Sequence, residues 1–157
     1  MKPNACLVVA LLLAASPAYL GAEDSLRIAK DLYGPAAYEE ALAMLNRLRD
    51  EAVAAEAGLA VDQYRAFCMF APGRTAEAES VAESIIRRQP LTKLDPTDAS
   101  PRIQTMFASV RQQLLPSLIR ERFRAATARF EIKDFAAAEP SLVDAQQMIA
   151  QADELCV

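Results

Sequence analysis

The side chains that could do chemistry are few. Three cysteines are present, Cys6, Cys68 and Cys156, and there is no histidine anywhere in 157 residues. Without histidine the usual acid–base group near neutral pH is missing. No CxxC spacing exists, and a zinc site would have to be built from cysteine and carboxylate alone, which disfavours a metal centre. Glu39 and Glu40 are adjacent, and Glu77 and Glu79 are two apart, so on a helix neither pair faces one way. Ser25, Ser80 and Ser84 have no visible base, and no GxGxxG, GxxxxGK[ST] or HExxH stretch occurs. The chain reads as a non-enzyme without cofactor.

The first residues explain where it would work. MKPNACLVVALLLAASPAYLGA has Lys2, an apolar run from Leu7 to Ala15, small residues and Pro17. That is the layout of a secretory signal peptide spanning 1–22, with cleavage after Ala22 as first choice and after Ala18 as second. The run is too short to be a membrane span. Cys6 precedes the run, so it is not a lipid-attachment cysteine. The expected compartment is the periplasm. Removing the leader leaves Cys68 and Cys156, an even pair in an oxidising compartment. Cys68 lies inside the apolar stretch YRAFCMF, which favours unpaired thiols over a Cys68–Cys156 bridge.

Residues 23–157 read as one all-α domain. Alanine is abundant, glycine numbers only four, and no segment combines β-branched residues with period-two alternation. A spacing recurs three times: a small residue, an aromatic four later, and an alanine eight beyond that. The triplets are Ala29, Tyr33 and Ala41; Ala66, Phe70 and Ala78; Ala126, Phe130 and Ala138. Tyr38, Thr75 and Phe135 precede the second small residue by three, and Leu45, Ala82 and Leu142 follow it by four. Leu48, Ile85 and Ala145 come three later again, and Pro35 and Pro72 share one position in the turn. Small residues let helix backbones approach, and Gly34 and Pro35 supply a left-handed cap and a stop. Asp134 suits the N-cap of the last helix.

This pattern resembles the tetratricopeptide repeat, a helix–turn–helix unit of about 34 residues. Pro90, twelve after Ala78, stands where that repeat places its closing proline. The resemblance covers 25–92 and 119–151, with units at about 25–55, 59–92 and 119–151. Departures are a 37-residue first offset, a 60-residue second offset, no Trp, and Pro140 inside the last helix. The resemblance implies helical pairs stacked as a short right-handed solenoid. Between the second and third units, 93–118 is an insertion: a turn-rich loop, then Ser100-Pro101 opening an amphipathic helix over 102–114 with Ile103, Met106, Phe107, Val110 and Leu114 on its stripe. Pro116 is expected to start or kink the next helix.

Charge is uneven. Residues 87–129 hold nine basic and three acidic side chains, and the rest of the mature chain seven basic and eighteen acidic. The total of −4 disfavours nucleic acid. The resemblance implies an interaction module whose first helices line a concave groove for a peptide or helix. Carried over residue by residue, that groove holds Lys30, Tyr33, Gln63, Phe67, Phe70, Phe123, Thr127 and Phe130, with Arg120 on its rim. Phe67 and Phe123 are its expected aromatic anchors. The alternative is an oligomerisation or envelope-scaffold domain without a groove, self-associating through the terminal helix.

Overall fold

The computed structural model describes residues 17–50 and 55–155. Most of the expected leader, together with Cys6 and Cys156, lies outside the described residues. Every regular element among those described is a helix: α1 (Pro17–Tyr33), α2 (Tyr38–Asp50), α3 (Ala55–Phe70), α4 (Thr75–Arg88), α5 (Pro101–Glu131) and α6 (Phe135–Leu155). None of them is long and apolar enough to cross a membrane. α1 runs unbroken through Ala22, the expected cleavage point.

Three tight turns join α1 to α2, α3 to α4 and α5 to α6, and all three are built alike. Ala36 (φ 66°), Gly73 (φ 96°) and Lys133 (φ 61°) take the left-handed conformation, and they are spaced by the same 37 and 60 residues as the alanines. In each turn that residue donates its N–H three residues back: Ala36 to Tyr33, Gly73 to Phe70, Lys133 to Phe130. The following residue donates five back: Ala37 to Leu32, Arg74 to Met69, Asp134 to Arg129. This is the Schellman closure, which satisfies carbonyls the helix end would otherwise leave orphaned. The left-handed position of the first turn is therefore Ala36 and not Gly34 as the sequence reading expects, because the closure is set by its distance from the helix end. Asp134 caps α6, its Oδ1 accepting the Ala137 N–H at 3.3 Å.

The small residues sit at the crossings. Ala29, Ala41, Ala66, Ala78, Ala126 and Ala138 are all buried. Around the first four the main core gathers Leu45, Val61, Phe67, Ile85, Ile86, Ile103, Phe107, Leu115 and Met148. Ala126, Ala138 and Ala145 are buried outside that cluster, in a separate seam between the far ends of α5 and α6.

The expected inserted helix and the first helix of the third unit are not two elements. They form α5, 31 residues continuous through Pro116. Ser100 opens it, its Oγ accepting the Ile103 N–H at 3.4 Å, with Pro101 at the first turn. Proline removes one helix hydrogen bond. Leu115 and Leu118, on either side of Pro116, are both buried. Pro140 likewise falls inside an unbroken α6. α5 packs on both α4 and α6. Arg111 ties the preceding loop to α5, donating to the Pro90 carbonyl at 3.2 Å and to that of Thr92.

Candidate docking surface

The residues expected along one groove fall into two separate regions. The first lies where α1, α3 and the loop before α5 meet. Lys30 on α1 stands 4.8 Å over the Tyr64 ring and 3.9 Å from the Asp98 carboxylate. Burial, and then hydrogen bonding to Asp98, push the Tyr64 hydroxyl well above its ordinary range. Tyr33 packs with Tyr38 and Tyr64, both at 5.7 Å between ring centres, and burial raises its hydroxyl too. Gln63 is half-buried.

Phe67 is a correction to the sequence reading. It is 2% exposed and sits between Tyr33, Tyr64 and Phe107, with ring centres 6.0, 5.2 and 6.2 Å away. Phe107 of α5 packs edge-on against the Phe67 ring. Phe67 is a core residue and not an anchor. Phe70, at the end of α3, is half-buried under Arg102 at 5.7 Å. It lines an open depression of about 440 Å3 with Glu79, Arg102, Thr105 and Met106.

The second region is the far half of α5. Arg120, Phe123, Thr127 and Phe130 are exposed there. Phe123 is 59% and Phe130 61% exposed, values unusual for large aromatics. They do not stand alone. Phe135, Leu142, Val143 and Ile149 of α6 are exposed as well, and the Phe130 and Phe135 rings meet at 5.2 Å across the turn. Phe123 and Phe130 are seven residues apart on α5, as are Phe135, Leu142 and Ile149 on α6. Seven residues is two helical turns, so each set forms a stripe. In two antiparallel helices facing through Ala126 and Ala138, both stripes fall on the same side. Large contiguous exposed apolar patches are uncommon on monomeric proteins.

Of these exposed residues, Arg120, Phe123, Thr127 and Phe130 of α5 are the ones expected from the sequence as groove residues, and none of α6 is expected in that role. The recurring spacing places Phe135 and Leu142 in the positions of Tyr38 and Leu45, yet both are exposed where their counterparts pack. The signal that separates them is the 135–142–149 stripe, which lies beside the buried line of Ala138, Ala145 and Met148 and not on it.

A third feature is polar. A concavity of about 470 Å3 between α2, α3 and α4 is lined by Arg49, Asp62, Arg65, Ser80, Ser84 and Arg88. Asp62 accepts from Arg65 at 3.0 Å and also from Arg88, and Arg65 Nε donates to Asn46 Oδ1 at 2.8 Å. The network joins three helices and buries one carboxylate among guanidinium groups. Among the described residues no group of histidine, cysteine or carboxylate side chains is placed to hold a metal ion. The chain matches no protein-family model, and neither a curated protein nor a solved structure matches it.

Proposed function

We propose that this protein is an exported, tetratricopeptide-like helical scaffold that works by holding another protein against the α5–α6 hairpin. The fold side of this reading is supported by three identical left-handed turns at the repeat offsets and by six buried crossing alanines. Repeated tight turns and close crossings fit a right-handed stack of helical pairs, each burying its apolar face against its neighbours. The leader layout supports export to the periplasm. The observation that carries the function is the run of exposed Phe123, Phe130, Phe135, Leu142 and Ile149 on one side of one hairpin.

The partner is a protein or peptide, not nucleic acid, and neither a cofactor nor a catalytic step enters the reading. With Phe67 in the core, the concave groove keeps Lys30, Tyr33, Gln63 and Phe70 only at half-buried positions. That favours docking of a helix on the hairpin over threading of an extended peptide. It also brings forward the second reading, a structural oligomerisation domain. The test is capture from envelope extract by the immobilised protein and by its Phe123→Ala/Phe130→Ala variant. Proteins held by the first and lost by the equally folded second support the reading. Identical capture by both removes it.

A further inference from the structure

The α5–α6 surface has counterparts inside the same molecule. Tyr33, Tyr38 and Leu45 of the first hairpin stand 97 residues before Phe130, Phe135 and Leu142. In the first hairpin those positions are covered by α3: Leu45 is fully buried and Tyr33 meets the Tyr64 ring edge-on at 5.7 Å. The fold thus displays what this kind of surface takes, which is a helix with an apolar stripe.

Charge selects the source of that helix. Beyond Pro116, α5 carries Arg120, Arg122, Arg124 and Arg129 against Glu121 and Glu131. α6 carries no basic residue from Phe135 to Leu155. Arg120 and Arg124, one turn apart, border the α5 stripe, and Glu139 borders the α6 stripe one turn after Phe135. One hairpin therefore presents an apolar face with Arg120 and Arg124 on one edge and Glu139 on the other.

We propose that the occupant is a second copy of this chain, docked through a two-fold axis that lays the far half of α5 on α6 of its partner. This rests on the reading of the hairpin as a docking surface and names what docks there. The arrangement sets apolar stripe on apolar stripe and each Arg120–Arg124 pair beside the Glu139 of the other copy. The alternative two-fold, α5 on α5, would oppose arginine to arginine. Because the same patch serves both copies, the contact closes as a dimer and leaves no open end to propagate a fibre.

Sedimentation equilibrium of the purified protein across the micromolar range tests this. The expected mass is that of a dimer. Leu142→Glu, with helical content unchanged by circular dichroism, should raise the dissociation constant by about thirtyfold or more, as loss of an interface anchor does. Arg120→Glu with Arg124→Glu should weaken the dimer, and adding Glu139→Lys should restore it. A monomer at every concentration overturns the proposal. So does a dimer indifferent to Leu142→Glu, or one that the arginine reversal leaves as tight as before. A monomer that still captures another protein through Phe130 separates the two ideas: the second copy is then wrong and the docking surface stands.

Discussion

Asp62 and Arg65, one turn apart on α3, form an ion pair at 3.0 Å with both side chains about nine-tenths buried. Removing water from two charges is costly, and their mutual attraction offsets the cost only while both are present. Asp62→Ala should therefore destabilise the fold by about 3–5 kcal/mol, since Arg65 is left charged and buried. Replacing both by apolar residues, Asp62→Leu with Arg65→Met, should cost far less. Urea denaturation of the three proteins measures the difference; equal losses for single and double variants would refute this account.

The crossing alanines predict an overpacking penalty. Ala78 is fully buried where α3 and α4 approach. Ala78→Leu should cost about 1–3 kcal/mol in a urea melt. A neutral outcome would mean that the helices do not cross at Ala78.

Turn geometry gives a pair of opposite signs. A Cβ on Gly73 meets no atom within 4 Å, so only its φ of +96° opposes a side chain. Gly73→Ala should cost about 1 kcal/mol, and Ala36→Gly should gain a similar amount. Chemical denaturation of both variants checks the signs, and a loss at Ala36→Gly would contradict the closure described for that turn.

Phe67 and Phe123 should part company. Phe67→Ala opens a cavity in the main core and should cost about 3–5 kcal/mol. Phe123→Ala removes an exposed ring and should change stability by no more than about 0.5 kcal/mol. Thermal melts of the two single variants decide it.

Burial, and after it the nearby Glu39 charge, push the Cys68 thiol up from its ordinary 9.0 to about 11. The folded state then keeps its proton where the unfolded chain has released it. That contribution is complete below pH 9.0 and declines as pH rises towards 11. Stability should fall more steeply through this window for the native protein than for Cys68→Ala. Parallel slopes would show that the thiol is not linked to folding.

What was legible in the sequence followed from residue size and periodicity. Alanines at fixed offsets gave the crossings, because a close approach excludes every larger side chain. Ser100-Pro101 and Asp134 gave helix starts, because capping is local chemistry. The start of a new helix expected at Pro116 did not appear, since α5 is continuous through it. The burial of Phe67 was not legible either, and nothing in its local pattern sets it apart from the exposed Phe123. Both lie in first helices with similar local patterns, and only the placement of Phe107 over one of them tells them apart.

The uninterrupted α5 settles where this molecule can be divided. Thirty-one residues at about 1.5 Å each make a beam of roughly 46 Å that begins in the main core and ends at the α5–α6 tip. A cut at Pro116 would sever a helix in mid-span, strip Leu118 and Met148 from the core, and leave two pieces with raw apolar ends. A cut earlier, in the loop from Gln89 to Ser100, would strip Ile103, Met106, Phe107 and Val110 as well and break the Arg111 latch to Pro90. The surface at the tip is thus inherited with the core that carries it, as one transplantable part.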